Sequence, residues 1–238
     1  MAYVSTVWAF RLTFNFNRRG GYHWPPWHGD EDYRWKLLQD GIVHPIFQNR
    51  LVFLLFNFFF ISIYQNLLLW LMMAPSVVAH LVATSPNCAD APLNIYDFAA
   101  TIIFLLCVVT EGIADNQQYA FQTKKYNLRN AGKPLDGEYA DGFNQSGLFS
   151  IVRKPNYAAE QVTWISYYLF SVAAFQGQRW LNPSIIGAVL IVLLFVVTGP
   201  FTEYTTEKKY PKYKEYKKAV PLYIPNPFKS TRGINKSM

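Results

Sequence analysis

Long apolar runs constrain this chain more than any other feature, because side chains of that kind in stretches of that length have few places to go except a bilayer. Residues 51–74 are dense in Phe and Leu, and residues 183–202 are the most uniformly apolar of the set. Residues 96–118 begin apolar and end polar, and residues 161–176 are aromatic and slightly short. A fifth run, 2–16, opens the chain and falls below the roughly 20 apolar residues that a full span needs. Backbone groups in hydrocarbon must be hydrogen-bonded within their own segment, so these runs predict helices. The alternation of a membrane barrel strand is absent. Pro75 is expected to end the second span and Pro183 to open the fifth. Gly199-Pro200 should kink or end that last helix.

The expected fold class is therefore all-α: one polytopic integral membrane helical bundle over residues 1–238, with about five spans. Residues 203–238 form a basic tail. Composition agrees. Charged residues make up only 16% and hydrophobic residues 51%, against about 25% charged in a soluble domain. The net charge of +7 does not point to nucleic acid, because the basic residues are segregated by loop. Arg18, Arg19, Arg34, Lys36 and Arg50 lie between the first two runs, and the connection 75–95 has no Lys or Arg. Lys124, Lys125, Arg129, Lys133, Arg153 and Lys154 lie in 119–160, Arg179 alone in the next link, and nine basic residues after Phe201. By the positive-inside rule the two basic loops and the tail are cytoplasmic. Cys88 and Cys107 match neither a disulfide framework nor a metal site.

Ionisable side chains at hydrocarbon depth are costly and usually face a cavity or a partner. Glu111, Asp115, Gln118 and Gln122 follow one another at i, i+4, i+7 and i+11, which places them on one helix face. They are expected to wall a polar cavity open to the cytoplasm, with Ile113, Ala114 and Tyr119 on the other side. Just before the fourth run, Arg153, Lys154, Asn156, Tyr157 and Glu160 crowd together, with Pro155 suited to a first helical turn. A helix N-terminus with added positive charge suits a phosphate-bearing cofactor, and an interfacial belt of anchors fits the same residues. The tail alternates Tyr with Lys. It reads either as a basic amphipathic segment on an anionic leaflet or as a lid folded over the cavity mouth, with Tyr213 and Tyr216 contributing. His23, His28, Asp30, Glu31 and Asp32 surround a Pro-Pro pair at no common metal spacing, so no metal is expected. Soluble nucleotide-binding motifs are missing.

The chain resembles the steroid 5-alpha-reductase-like membrane proteins, and most closely their uncharacterised branch. The likeness is carried by an EDYRW-like segment at 31–35 and by the block Gly147, Leu148, Phe149, Arg153, Pro155, Asn156, Tyr157, Glu160. The tail adds Tyr213, Tyr216, Val220, Pro221, Ile224 and Pro225. The resemblance implies NADPH bound from the cytoplasmic side and hydride transfer to a carbon–carbon double bond conjugated to a carbonyl, in a hydrophobic small-molecule substrate. It implies cofactor roles for Arg11, Glu111, Asp115, Asn156, Glu160 and Tyr216, and the endoplasmic reticulum as location. The cofactor set expected from both lines is Arg11, Glu111, Asp115, Arg153, Asn156, Tyr157, Glu160, Tyr213 and Tyr216. The family's carbonyl-polarising Glu would precede Met1, and the position of its Tyr holds Trp8, whose indole is no comparable proton donor. The catalytic residues are therefore unassigned. Two alternatives stand beside the reductase. One is a methyltransferase similar to the isoprenylcysteine carboxyl methyltransferases, using S-adenosylmethionine. The other is a non-catalytic family member.

Overall fold

The computed structural model describes residues 1–25, 33–41, 44–86 and 92–226. His28, Asp30, Glu31, Asp32, Cys88 and the last residues of the tail lie outside that set. Among the described residues there are helices and no strand.

Helix α1 (Ala2–Arg18) is followed by the short α2 (Tyr33–Gln39). Helix α3 (Arg50–Phe56) runs through a π-helical stretch (Asn57–Gln65) into α4 (Asn66–Ala83) without a break. Helix α5 spans Ile95–Asn130, α6 is the single turn Glu138–Asp141, and α7 spans Pro155–Ala174. Helix α8 covers Ile185–Lys209 and α9 covers Tyr213–Ala219. Among the described residues, three stretches are long and apolar enough to cross a membrane: Arg50–Ala83, Ile95–Asn130 and Ile185–Lys209.

Of the other two predicted spans, α1 and α7, α7 looks weak as sequence for a structural reason. Helix α7 is the centre of the bundle, packed against α4, α5 and α8, with residues such as Thr163, Trp164, Tyr167 and Val172 buried. A helix covered by protein needs no lipid-facing surface and can carry hydroxyls that bond back to its own carbonyls. Thr163 Oγ1 donates to the Ala159 carbonyl at 3.0 Å, and Ser171 Oγ to Tyr168 at 2.8 Å. The apolar core joins Val4 of α1, Leu68 and Met72 of α4, Phe104 of α5, Trp164 and Tyr167 of α7, and Ile191 of α8.

Two expectations about proline are overturned. Pro75 does not end its helix; α4 continues to Ala83 with Pro75 buried. Pro200 does not end α8, which continues to Lys209. A proline has no N–H and frees the carbonyl four residues back, but within a membrane bundle neighbouring helices can cover the gap. The carbonyl released by Pro75 is that of Leu71, and it faces Gly187 of α8, where a Cβ would come within 2.3 Å of it. Helix α5 also outruns its expected end at 118 by three turns, reaching Asn130.

Candidate functional site

The polar face expected on α5 meets polar residues of α1 and α7 at one place. Arg11 is the hub. Its Nη2 lies 2.8 Å from Glu111 Oε1, its Nη1 2.9 Å from Asp115 Oδ2, and Nη2 also 3.8 Å from Glu160 Oε2. Asp115 further accepts from Asn15 Nδ2 at 2.8 Å, lies 3.4 Å from Arg19 Nη2, and is in hydrogen-bonding reach of the Asn156 amide. Glu160 accepts from two indoles, Trp8 Nε1 at 3.2 Å and Trp164 Nε1 at 2.8 Å, and those rings meet edge to face 5.1 Å apart. Arg18 completes the rim, bonded to Asn15 at 2.9 Å and to Asn116, with its guanidinium over the Tyr119 ring.

The arrangement follows from helical spacing. Glu111 and Asp115 are one turn apart on α5, and Asn156 and Glu160 one turn apart on α7, with α7 antiparallel to α5. Helix α1 supplies Trp8, Arg11, Asn15 and Arg18 at i, i+3, i+7 and i+10, a face legible by the same rule. Glu111 and Asp115 are buried. Among the described residues, buried Arg11 Nε and Nη2 and Glu111 Oε2 have no well-directed hydrogen bond. Nη2 is close enough to Glu111 for an ion pair, but the angle is poor. Buried polar atoms of this kind are uncommon in folded proteins, and functional sites are among the places they occur.

The remaining predicted residues form a second cluster. Arg153 Nε and Nη2 hold the Glu203 carboxylate at 2.5 and 3.0 Å, and Nη1 donates to the carbonyls of Lys217, at 2.9 Å, and Val220. Tyr213 donates to Glu203 at 2.9 Å, and Tyr216 to the Phe149 carbonyl at 2.5 Å. Both rings pack on Phe143. Burial, with the Glu203 carboxylate adding to it at Tyr213, pushes both phenols well above their ordinary value. Tyr157 packs on α8 instead, its ring 4.8 Å from that of Phe195. Thus Arg11, Glu111, Asp115, Asn156 and Glu160 come together, whereas Arg153, Tyr213 and Tyr216 sit in the neighbouring cluster. The basic tail buries its aromatic face on protein and leaves Lys208, Lys209, Lys212 and Lys214 exposed. The tail thus packs back on protein, with Tyr213 and Tyr216 engaged by Glu203 and the Phe149 carbonyl rather than by the Arg11 cluster.

Sequence reasoning missed Glu203, Asn15, Trp164 and Gln117, whose Oε1 accepts from the Leu148 N–H at 2.9 Å. Glu203 had a signal: it is an acid at the edge of the most apolar run. Among the described residues no three His, Cys, Asp or Glu side chains gather as they would around a metal ion. A cavity of about 510 Å³ lies at the opposite end of the bundle, between α4, α5 and α7, lined by Ala79, Phe98, Thr101, Phe170 and Ala173.

Comparison with known proteins gives kinship without an activity. The model of a family described as a protein of unknown function, DUF1295, matches residues 1–220. The uncharacterised protein C594.04c of Schizosaccharomyces pombe is similar, 32% identical over 232 residues, which is 94% of this chain and 62% of that protein. The chain thus spans less than two thirds of that relative's length. No solved structure matches. By the extent of the family match, the chain belongs to the DUF1295 family of proteins of unknown function.

Proposed function

We propose that this protein is a membrane-embedded, NAD(P)H-dependent reductase of a lipid-like enone, of the steroid 5-alpha-reductase-like kind, with its basic end and C-terminus in the cytoplasm and the endoplasmic reticulum as its membrane. The observation that carries the reading is the convergence of Arg11, Glu111, Asp115 and Glu160 at the basic end of the bundle, with Asn156 against Asp115. Carboxylates and amides suit the hydroxyls and carboxamide of a dinucleotide, and the half-exposed Arg19 at the rim suits a phosphate. The unsatisfied Arg11 and Glu111 atoms leave hydrogen-bonding capacity for a ligand. When bound, the cofactor supplies a hydride to the β-carbon of the enone. The chain's own residues hold it, exclude water through the Trp8–Trp164 pair and orient Glu160. The α-carbon receives a proton from a donor other than Trp8, whose Nε1 is engaged with Glu160.

One observation favours a second reading. Three carboxylates face a single buried guanidinium, and Arg153 is occupied by Glu203. An acid-rich site suits a sulfonium, so a methyltransferase using S-adenosylmethionine is the alternative.

Native mass spectrometry of the detergent-purified protein, with titration of NADPH and of S-adenosylmethionine, separates them. The reductase reading expects NADPH to bind and Glu160→Ala and Asn156→Ala to weaken it by about tenfold or more, the loss of one strong hydrogen bond. Affinity unchanged in both variants, or binding of S-adenosylmethionine alone, overturns it.

A further inference from the structure

We propose that Arg153 and Glu203 are positioning residues: their buried pair straps residues 213–223 across the start of α7 and so sets where Asn156 and Glu160 stand. The inference rests on the reading that these two side chains belong to a ligand site.

Arg153 precedes α7, whose N-cap residue, Lys154, makes no side-chain capping bond. The start of α7 is held instead by the tail. Arg153 N donates to the Pro221 carbonyl at 2.9 Å and Lys154 N to the Leu222 carbonyl at 3.2 Å, two adjacent backbone bonds between the segments. The Arg153 guanidinium reaches past this pairing to the Glu203 carboxylate on α8 and to the carbonyls of Lys217 and Val220 at the end of α9. Three segments therefore meet at one side chain: the start of α7, α8 and the end of α9. Glu203 is 1% exposed and Arg153 9%, so neither has water to fall back on. A buried carboxylate that loses its guanidinium partner is strongly destabilised, and Arg153 is thereby kept from leaving to meet a phosphate. Tyr213 and Tyr216 lock the same strap from the other side, through Glu203 and the Phe149 carbonyl. Tyr223 fastens its far end to the Phe195 carbonyl at 2.6 Å.

Downstream, α7 is one unbroken helix from Pro155 to Ala174, so what fixes its first turn fixes Asn156 and Glu160. Those residues reach Asp115 on α5 and Trp8 on α1, at distances that a small shift of the helix end would break. The tail's role is thus to brace one wall of the site.

Hydrogen exchange of the full chain in detergent tests this without any nucleotide. Glu203→Gln is expected to raise exchange of the amides in 153–162 by about tenfold or more, leaving those of mid-α5 unchanged. Tyr168→Phe, which removes the buried bonds that its hydroxyl accepts from Asn182 at the other end of the bundle, should leave 153–162 as in wild type. The double variant Arg153→Met/Glu203→Met removes both charges. Its thermal midpoint should return toward wild type, while 153–162 stays unprotected and NADPH affinity stays at least about fivefold weak. Unchanged exchange at 153–162 in Glu203→Gln overturns the proposal, as does recovery of protection together with the midpoint in the double variant. Failure of the wild-type protein to bind NADPH would instead count against the reductase reading, with the exchange result still standing.

Discussion

Arg11 stands between Glu111 and Asp115, 2.8 Å from one carboxylate and 2.9 Å from the other, although only the Asp115 contact is a well-directed hydrogen bond. The two acids are one turn apart on α5 and would repel each other in an apolar surrounding. A guanidinium from α1 meets both at once because its planar fork offers donors in two directions. This joins α1 to α5 by charge as well as by apolar packing, and it explains how a first helix with several apolar side chains in solvent or lipid, such as Tyr3 and Phe10, is held in register.

Removing that fork should cost the whole bundle. Arg11→Ala leaves the buried Glu111 without its counter-ion, which typically costs about 3–5 kcal/mol, and leaves Asp115 with Arg19 at the rim. Arg11→Lys keeps the charge but offers a point donor, so its loss should be smaller. Thermal unfolding in detergent micelles checks both. A midpoint unchanged by Arg11→Ala would mean that the carboxylates do not depend on α1.

Glu160 is steered by two indoles from different helices. Trp8→Phe and Trp164→Phe each keep the ring and remove one donor. Each should cost about 1–3 kcal/mol, the penalty for a buried acceptor left short of a partner, and each should weaken NADPH binding. The double variant should lose more than either alone. Binding equal to wild type in the double variant would show that Glu160 needs no such steering.

The sequence made the polar face of α5 legible because period and chemistry agree there: acids and amides recur at helical spacing inside an apolar run. The same rule applied to α1 reveals Trp8, Arg11, Asn15 and Arg18, of which only Arg11 was expected, and that by resemblance. Arg153 illustrates what spacing does not convey. Its partner is 50 residues away on another helix, and a basic residue before a helix N-terminus looks the same in sequence whether it awaits an anion or is already paired. The prolines misled for a related reason. Pro75 is a local stop signal, but the covering contact that lets α4 continue comes from α8, through a glycine more than 100 positions later in the chain.

Alkaline pH should loosen the tail. Burial raises the Tyr213 and Tyr216 phenols, and Tyr223 is pushed up to about 12 from an ordinary value of 10.0. Above that ordinary value the unfolded chain has released protons that the folded chain still holds, so stability falls as pH rises. The contribution is complete below pH 10.0 and, for Tyr223, is lost by about pH 12. Near-ultraviolet tyrosinate absorbance and unfolding midpoints measured along the same pH series check this. Tyr213→Phe and Tyr216→Phe should each flatten the alkaline decline, and an equal decline in both would place the titrating groups elsewhere.

Helices α4 and α8 touch at Gly187, where an added Cβ would lie 2.3 Å from the Leu71 carbonyl oxygen and 2.6 Å from the Met72 nitrogen. Both are backbone atoms and cannot rotate aside. Small residues allow this kind of approach between membrane helices, where packing rather than water provides the attraction. The Leu71 oxygen is also the acceptor that Pro75 leaves without its helical partner, so the glycine covers a polar gap with close-packed backbone. Gly187→Ala must separate the helices and should cost about 1–3 kcal/mol, the usual penalty for forcing volume into a packed contact. Pro75→Ala supplies the missing N–H and should stabilise α4 by itself, yet it should rescue Gly187→Ala only in part, because the Cβ clash remains. Thermal unfolding of the two single variants and the double variant measures the coupling directly. Strictly additive midpoints would show that Pro75 and Gly187 act independently, and that the continuity of α4 past its proline has another cause.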